Sequence, residues 1–521
     1  MESIGFDKTM ATRKKNKKKA EFGDFQTPIE LARQVCSLLL QHGLEPVSIL
    51  EPTCGKGSFI MAALEFFPDV HNVIGIDINS EHIRVAGSAL NKLGPDSGSI
   101  QIINKDFFTV DWSCVLDSLT DPLLVIGNPP WVTNAELGRI GSCNLPDKSN
   151  FQNRRGIDAI TGKSNFDISE WMLNKAIEWL NGRQATLAML CKTAVARKVL
   201  HQAWKSGQHL KRSDIYHIDA SRYFGAAVDA CLLVASASLS NGIFDCRVYD
   251  TLKDTSPTVT FGYRQGRLVA DITGFERWKH LEGKERYKWR SGIKHDCAKV
   301  MELRKEINGY RNGSGELVDL EDDYLYPMFK SSDIANGCDI QPARWMLVPQ
   351  RIVGENTRQI RKLAPRTWEY LQRHAQLLDR RASSVYRERP RFSVFGVGDY
   401  SFAHWKVAIS GFYKKLHFKV VGPYAEKPVV LDDTCYFLTC QTKKEAFFIA
   451  ELLNSDIAKD FFSSFVFWDE KRPITVNILR RLDLLALARE LGMEETLKDF
   501  LRQYTQNHEQ QLLFSESVLG S

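Results

Sequence analysis

A short polar turn after an apolar run carries residue types that could act on an amine. The run at residues 123–126 predicts a buried strand, and the turn after it reads Gly127-Asn128-Pro129-Pro130-Trp131. The prolines keep the backbone out of a helix, so the Asn128 amide oxygen and the Pro129 carbonyl are held side by side. Two adjacent acceptors suit an exocyclic amino group, and the Trp131 ring offers a face on which a planar base could stack.

This pair of acceptors predicts methyl transfer to the amino group of a nucleobase. The nitrogen lone pair of adenine or cytosine is delocalised into the ring, and acceptors that pull on the amine hydrogens draw charge toward the nitrogen as it attacks a methyl donor. Such a reaction needs no metal, lysine or cysteine. A strand end without any function explains the tetrapeptide equally well, so the neighbouring elements decide between the two interpretations.

A nucleoside-binding βαβ unit lies upstream of this turn. Strand, loop, helix and strand are predicted in turn over residues 47–51, 52–57, 58–67 and 73–77. Asp77 ends the second strand twenty residues after Gly57, a spacing at which an acid can accept from ribose hydroxyls. The loop lacks both phosphate-binding glycine patterns, and Glu51 at its mouth suits a cation such as the ammonium or sulfonium of S-adenosylmethionine.

Two further elements complete the predicted site. A third strand over residues 100–103 leads to Asp106 and Phe107, where an acid and a ring could contact an adenine. Near the N-terminus, an amphipathic helix is predicted with Thr27 as its N-cap and Pro28 as its first residue.

The order of these motifs resembles that of the gamma-class amino-methyltransferases of DNA, most of which are modification enzymes of restriction systems. The shared motifs are Phe-x-Thr-Pro, Glu-Pro-x-Cys-Gly-x-Gly, an acid, Asp-Phe and Asn-Pro-Pro-aromatic, and the resemblance covers residues 22–240. The resemblance implies a doubly wound, Rossmann-like α/β domain that binds S-adenosylmethionine, followed by an α+β target-recognition domain. It also implies base flipping from duplex DNA and methylation of the adenine N6 nitrogen.

The resemblance assigns roles to individual residues of this sequence. Asn128 and Pro129 would accept from the target amine, and Trp131, after Pro130, would stack on the flipped base, where the family more often has Tyr or Phe. Phe224 would supply a second aromatic ring. The methionine end of the cofactor would be lined by Thr27, Glu51, Pro52, Cys54, Gly55 and Gly57. The cofactor ribose and adenine would be bound by Asp77, Asp106 and Phe107. A later loop offers Asn165 and Asp167, either as cofactor contacts or as a helix cap.

Length and charge predict the domain organisation. We expect a disordered basic tail at residues 1–21, the catalytic domain over 22–240, and a connecting region with the target-recognition domain over 241–521. Residues 344–419 contain sixteen Lys and Arg against five acids, a local net charge of +11 in a chain whose formal charge is +6. This imbalance, with interleaved aromatic residues, predicts a phosphate-binding face for duplex DNA.

Other patterns narrow the class of protein. No apolar run reaches the length of a membrane span, and the eleven cysteines contain no Cys-x-x-Cys pair, so we expect a cytoplasmic, reduced protein without a metal site. One catalytic site in an asymmetric chain favours a monomer. A cognate restriction endonuclease is an expected partner. DNA cytosine-N4 methylation, RNA or protein-glutamine methylation, and a catalytically silent DNA-binding subunit stay open as alternatives.

Overall fold

The computed structural model describes residues 25–91, 99–132, 167–238, 242–336 and 341–502. The chain divides into two compact units, the first running to Asp271 and the second beginning at Ile272. The predicted basic tail at residues 1–21 and the loop residue Asn165 lie outside the described residues.

One ten-stranded sheet forms the centre of the first unit. Its strands are β1 (Ser48–Glu51), β2 (Asn72–Asp77), β3 (Ser99–Asn104), β4 (Leu123–Gly127), β5 (Ala185–Lys192), β6 (Leu210–Ile218), β7 (Ala230–Ala237), β8 (Asp245–Tyr249), β9 (Val259–Arg264) and β10 (Arg267–Val269). Their order across the sheet is β10-β9-β8-β6-β7-β5-β4-β1-β2-β3. The five strands from β3 to β5 in that order run parallel, and β7 lies antiparallel between β5 and β6. The predicted doubly wound, Rossmann-like α/β fold is confirmed.

The helices of the first unit follow the strands in the alternating pattern of such a fold. They are α1 (Ile29–Gln41), α2 (Ser58–Phe66), α3 (Ser80–Leu90), α4 (Trp112–Asp117), α5 (Ile168–Glu178), α6 (Thr193–Lys205) and α7 (Ala220–Phe224). Strands β1 and β4 are buried along their whole length. Burial on both faces explains why their sequences are continuous apolar runs rather than alternating ones.

The start of helix α1 differs from the prediction. The helix begins at Ile29 with Pro28 at the N-cap position, and no side chain caps it. The prediction of Thr27 as the N-cap is therefore wrong. The Thr27 hydroxyl accepts a hydrogen bond from Asn128 instead, so a contact between distant parts of the chain replaces the local cap.

Residues beyond 240 extend the first sheet. Strand β8 pairs parallel with β6, β9 pairs antiparallel with β8, and β10 pairs antiparallel with β9. These three strands belong to the first compact unit, although the sequence had suggested only a connecting region of short strands there. Short strands with polar turns carry no local signal of the sheet that they will join.

The second unit is a mixture of antiparallel-rich sheets and short helices, which agrees with the predicted α+β class. Its strands are β11 (Arg290–Ser291), β12 (Glu302–Glu306), β13 (Gly309–Asn312), β14 (Leu317–Val318), β15 (Leu325–Phe329), β16 (Arg344–Leu347), β17 (Trp405–Ser410), β18 (Lys419–Val421), β19 (Val430–Leu431) and β20 (Cys435–Cys440). One sheet has the order β14-β13-β12-β16-β15-β19, and the other β11-β20-β17-β18. The helices are α8 (Ile272–Trp278), α9 (Ala298–Met301), α10 (Ser331–Asn336), α11 (Ile360–Leu363), α12 (Pro365–Arg373), α13 (Ala375–Asp379), α14 (Lys443–Asn454), α15 (Asp456–Ser463), α16 (Val476–Leu479) and α17 (Leu484–Glu490). None of the helices in the described ranges combines the length and hydrophobicity that a membrane span requires.

Candidate active site

The candidate site lies where the strand order of the first sheet reverses. Strands β1 and β4 are neighbours, while the chain continues from β1 toward β2 and β3 on one side and from β4 toward β5 on the other. In open α/β sheets, a crevice forms outside the carboxyl ends of the strands at this switch point. Glu51 ends β1 and Asn128 follows β4, so the two predicted loops meet there.

The loop after β1 is fastened to the end of β2. The Cys54 N–H donates to the Ile76 carbonyl over 2.8 Å, and the Gly55 N–H donates to Asp77 Oδ2 over 2.9 Å. Gly55 and Gly57 both have positive φ angles, +50° and +81°, which L side chains rarely adopt. The two glycines therefore let the loop turn tightly, and Gly57 supplies the N-cap of α2.

Glu51 is the most buried acid of the site, with 2% of its surface exposed. Burial raises the pKa of its carboxyl group well above the ordinary value, and the nearby charge of Asp77 adds to this effect, while a hydrogen bond from the Ile60 N–H opposes it. Within the described ranges, Oε2 of this carboxyl has no hydrogen-bond partner. A buried carboxyl oxygen without a donor suits a cationic ligand group that would restore its ionised form.

Asp77 ends β2, and Asp106 follows the end of β3 by two residues. The Asp77 carboxylate accepts from the Gly55 N–H, and its Oδ1 accepts from the Asn79 N–H over 2.8 Å. It thus shapes the loop and retains further lone pairs for a ligand hydroxyl. Asp106 Oδ1 accepts from the Phe108 N–H over 3.0 Å. The ring of Phe107 is buried among other aromatic residues, with the Trp112 ring centroid 4.7 Å away.

The side-chain amide of Asn128 is held by the segment before α1. Its Nδ2 atom donates to the Phe25 carbonyl over 3.0 Å and to the Thr27 hydroxyl over 3.3 Å. Because a backbone carbonyl can only accept, the amide nitrogen must face Phe25 and the amide oxygen must face the other way. That oxygen, Oδ1, is buried and has no hydrogen-bond partner in the part of the chain that the structure describes. Asn128 therefore presents a fixed acceptor at the end of β4 that no described residue satisfies.

Three aromatic rings pack together beside this amide. The ring centroids of Trp131 and Phe224 lie 5.1 Å apart at an interplanar angle of 72°, and Phe25 lies 5.7 Å from Trp131 and 6.0 Å from Phe224. Trp131 and Phe224 are 5% and 8% exposed. The structure thus brings together the two predicted stacking residues, and it adds Phe25, which the sequence analysis did not assign to the site.

A charged pair holds the far end of the Asn-Pro-Pro-Trp turn. Lys192, the last residue of β5, donates from Nζ to the Trp131 carbonyl over 3.3 Å and to Asp167 Oδ2 over 2.6 Å. Asp167 is the N-cap of α5, which the sequence analysis had left open between a cap and a cofactor contact. Lys192 was not predicted, because a lysine at a strand end has no distinguishing local pattern.

An open cleft of about 830 Å³ joins most of the predicted residues. The predicted residues that line it are Thr27, Glu51, Pro52, Cys54, Gly55, Asp77, Asp106, Phe107, Asn128 and Pro130. Gly57, Pro129, Trp131 and Phe224 are not among its lining residues. The lining also includes residues without an earlier assignment, namely Phe25, Gln26, Thr53, Ser58, Ile78, Asn79, His82, Lys105, Phe108 and Met172. Across the described ranges, no group of three or more His, Cys, Asp or Glu side chains has a metal-binding arrangement.

Not every basic residue in the stretch 344–419 of the second unit is free to contact phosphate. Four of its arginines form ion pairs within that unit, namely Arg344, Arg366, Arg373 and Arg391. Arg381 donates to backbone carbonyls, and Lys406 is fully buried. The buried Lys406 cannot contact phosphate, so the prediction is corrected for that residue. The ion pairs neutralise part of the charge of the four arginines, although Arg366, Arg373 and Arg391 stay more than half exposed. The remaining basic residues form no ion pair with another described residue, namely Arg351, Arg358, Arg361, Lys362, Arg380, Arg387, Arg389, Lys414, Lys415 and Lys419.

The sheet order and the cleft at its switch point define a Rossmann-like methyltransferase, and comparisons with known proteins agree. Residues 9–193 match the family described as N-6 DNA Methylase. The chain is 48% identical over 474 residues to the Type II methyltransferase M.NspV of Nostoc sp.. This alignment covers 91% of this chain and 98% of that protein. It is 32% identical over 131 residues to the Type II methyltransferase M.CvrRI of Paramecium bursaria Chlorella virus XZ-6E, or 25% of this chain and 29% of that protein.

A solved structure supports the same fold. The Type IIL restriction-modification enzyme MmeI, in complex with DNA, aligns with a TM-score of 0.52 and 12% identity, covering 90% of this chain and 67% of that chain. At this identity the likeness concerns the fold alone. By its 48% identity to M.NspV, the chain belongs to the Type II methyltransferases, and its residues 9–193 resemble the N-6 DNA Methylase family. Membership of a methyltransferase family implies S-adenosylmethionine as the methyl donor.

Proposed function

We propose that the protein transfers a methyl group from S-adenosylmethionine to the exocyclic N6 amine of an adenine flipped out of duplex DNA, as a gamma-class enzyme. The observation that carries this proposal is the buried Oδ1 atom of Asn128, which has no hydrogen-bond partner among the described residues, while the Phe25 carbonyl holds the amide in place. An acceptor without a donor is unfavourable in the free protein, so a ligand amine that donates to it gains binding free energy at the reacting nitrogen.

The cofactor fits the charges and shape of the cleft. We assign its cationic methionine end to the buried Glu51 carboxyl, whose Oε2 atom has no partner among the described residues. The same end would be lined by Thr27, Pro52, Cys54 and Gly55, while Gly57, which does not line the cleft, would act by shaping the loop. Asp77 accepts from the ribose hydroxyls, and Asp106 and Phe107 contact the adenine. When bound, S-adenosylmethionine would supply a methyl group activated by its sulfonium, with the thioether as the leaving group.

The residues around Asn128 position and activate the target amine. Asn128 Oδ1 and the Pro129 carbonyl each accept one N–H of the amine, and this draws charge onto the nitrogen as it attacks. The base stacks on Trp131 beside Phe224. Because these two rings contact each other and are almost fully buried, the incoming base must displace part of their packing. Base flipping itself costs a few kcal/mol, roughly, and the stacking offsets it.

The proposed polymer is duplex DNA, bound in part by the second unit. The basic residues of that unit that form no ion pair with described residues support phosphate contacts. MmeI, the enzyme with a similar fold, has a structure in complex with DNA. In a restriction-modification system, methylation of the recognition sequence would protect DNA from a cognate endonuclease.

Product analysis tests this function. The purified protein is incubated with a plasmid and methyl-labelled S-adenosylmethionine, and the DNA is digested to nucleosides. We expect the label in N6-methyldeoxyadenosine. Label in N4-methylcytosine would keep the site and change the substrate, whereas cofactor binding without any labelled DNA would contradict the proposed activity.

A further inference from the structure

Lys192 contacts the Asn128–Trp131 turn, and the proposed chemistry gives this lysine no role. Its Nζ atom lies 3.3 Å from the Trp131 carbonyl oxygen and 2.6 Å from Asp167 Oδ2. The Lys192 side chain is 25% exposed and that of Asp167 is 8% exposed. A charge-assisted bond in such a partly dry environment is stronger and better oriented than one on an open surface.

Asp167 is itself fixed, so it can hold the lysine in one place. Its Oδ1 atom accepts from the Ser169 N–H over 3.1 Å and from the Ser169 hydroxyl over 2.5 Å, which caps helix α5. Its other oxygen binds Lys192. The two oxygens thus have separate partners, one in the helix and one in the strand end.

The turn is anchored on both sides of the Trp131 ring. On the N-terminal side, the Phe25 carbonyl holds the Asn128 amide, and two prolines restrict the backbone. On the C-terminal side, Lys192 holds the Trp131 carbonyl, and the Ile168 N–H donates to the Val132 carbonyl over 2.9 Å. Of these two C-terminal bonds between described residues, the one from Lys192 comes from a side chain and the other joins two backbone groups.

We infer that Lys192, held by Asp167, is a positioning residue that sets the orientation of the Trp131 peptide and hence the ring on which the target base stacks. The inference rests on the proposed function. Lys192 is not assigned as a base, because its Nζ atom already donates to a carboxylate and to a carbonyl. Its effect is on the alignment of the base with the methyl donor.

Replacement of Lys192 by methionine removes the charge and keeps most of the side-chain volume. For Lys192→Met, we expect the single-turnover rate of methyl transfer to fall roughly 10- to 100-fold, since small misplacements of reacting groups have effects of this size. The Kd for S-adenosylmethionine should stay within about twofold of the wild-type value, because the lysine does not line the cofactor cleft. Lys192→Arg keeps a cationic donor and should restore part of the rate.

Lys198 provides a matched control on the neighbouring helix. It forms an ion pair with Glu170 of α5 over 3.2 Å, and its side chain is 60% exposed. Lys198→Met therefore removes an ion pair to the same helix without touching the Trp131 carbonyl. The lysine end of this pair is exposed, and the buried Glu170 has a further interaction of its own, so the rate should stay within about twofold of wild type.

Asp167→Asn separates the helix cap from the ion pair. Asparagine caps helices as well as aspartate does, so α5 should keep its start while Lys192 loses its charged partner. We expect a slower transfer rate than in wild type. If Asp167 acts through Lys192, the double variant with Lys192→Met should be no slower than Lys192→Met alone.

The experiment measures single-turnover methyl transfer to a plasmid, the cofactor Kd and the thermal unfolding midpoint for all these variants. Slower transfer in Lys192→Met with an unchanged cofactor Kd and midpoint supports the inference. A Lys192→Met rate equal to wild type would overturn it, and so would a fall in cofactor affinity or midpoint that matches the fall in rate. A wild-type protein that transfers no methyl group would refute the proposed function itself. Failure of the proposed function is thus distinguished from failure of the inference about Lys192, which requires an active wild-type protein.

Discussion

The Asn128 amide nitrogen donates to the Phe25 carbonyl over 3.0 Å, across 103 residues of sequence. This bond decides which atom of the amide faces the cleft, because the carbonyl can accept but cannot donate. The Thr27 hydroxyl adds a second acceptor 3.3 Å from the same nitrogen. The segment before α1 thus has a part in orienting the proposed catalytic amide.

Thr27 tests this orientation with a pair of variants. Thr27→Val removes the hydroxyl at nearly constant volume, and we expect methyl transfer to slow by about 3- to 10-fold, the range of one neutral hydrogen bond. Thr27→Ser keeps the hydroxyl and should retain the wild-type rate. Single-turnover kinetics with parallel cofactor titration distinguishes the roles, since a weaker cofactor affinity at an unchanged rate would assign the hydroxyl to the cofactor alone.

The raised pKa of Glu51 predicts that cofactor binding depends on pH. A cationic ligand favours the ionised carboxylate, so binding below the pKa of the free protein must release a proton. As the pH falls through that pKa, the Kd for S-adenosylmethionine should rise, by up to roughly tenfold per pH unit for one proton. In Glu51→Gln, the Kd should be higher at neutral pH and should not show this dependence.

Calorimetric titration across the acidic and neutral range measures both proteins. S-adenosylhomocysteine, which retains the ammonium group but lacks the sulfonium, serves as the matched ligand. A wild-type Kd that does not change with pH would contradict the assignment of Glu51 to the cationic end of the cofactor.

Trp131 should tolerate an aromatic replacement but not a small one. Trp131→Phe keeps a stacking face and removes a buried Nε1 atom that has no partner among the described residues, so methylation should persist. Trp131→Ala should lower kcat/KM for DNA by roughly 10- to 100-fold, since stacking of one base on an aromatic ring contributes about 1–3 kcal/mol. If Trp131→Phe and Trp131→Ala have equal activities in steady-state assays, Trp131 does not act by stacking on the base.

Lys406 predicts a pH dependence of stability in the second unit. Its side chain is fully buried, Nζ donates to the Val429 carbonyl over 2.9 Å, and burial lowers the pKa of Lys406 to about 7. Between that pH and the ordinary lysine pKa, the unfolded chain binds a proton that the folded chain does not. Raising the pH therefore stabilises the folded wild-type protein relative to Lys406→Met, by about 1.4 kcal/mol per pH unit.

Thermal unfolding of both proteins at several pH values from neutral to alkaline checks this sign. Other ionisable groups are common to the two proteins, so the difference between their midpoints isolates Lys406. A difference that stays constant with pH would mean that this lysine keeps its proton in the folded state.

Much of the first unit could be predicted from sequence because its signals are local. Buried parallel strands are continuous apolar runs, and the strand predicted over residues 73–77 is observed as Asn72–Asp77. The acids at strand ends then follow from topology, because the carboxyl ends of parallel strands meet at one edge. Asp77 and Asn128 line one cleft for this reason.

The parts that could not be predicted depend on contacts between distant segments. No local pattern indicates that the Phe25 carbonyl receives the Asn128 amide or that Lys192 reaches Trp131. The Thr27 hydroxyl matched the sequence rule for a helix cap, but a tertiary hydrogen bond takes its place. Charge counts have the same weakness, because they do not reveal that Arg366 is paired with acids or that Lys406 is buried.

Asn128→Ala removes the acceptor on which the proposed reaction depends. We expect methyl transfer to DNA to fall by two orders of magnitude or more, roughly the effect of removing one preorganised polar group from a transition state. The Kd for S-adenosylmethionine should change by less than about threefold, because the proposed cofactor contacts remain. Labelled methyl transfer and cofactor binding are measured on the same preparation of wild-type and variant protein. Lost transfer with retained binding is the predicted result, and equal loss of both, or transfer that persists at the wild-type rate, would contradict the role of Asn128.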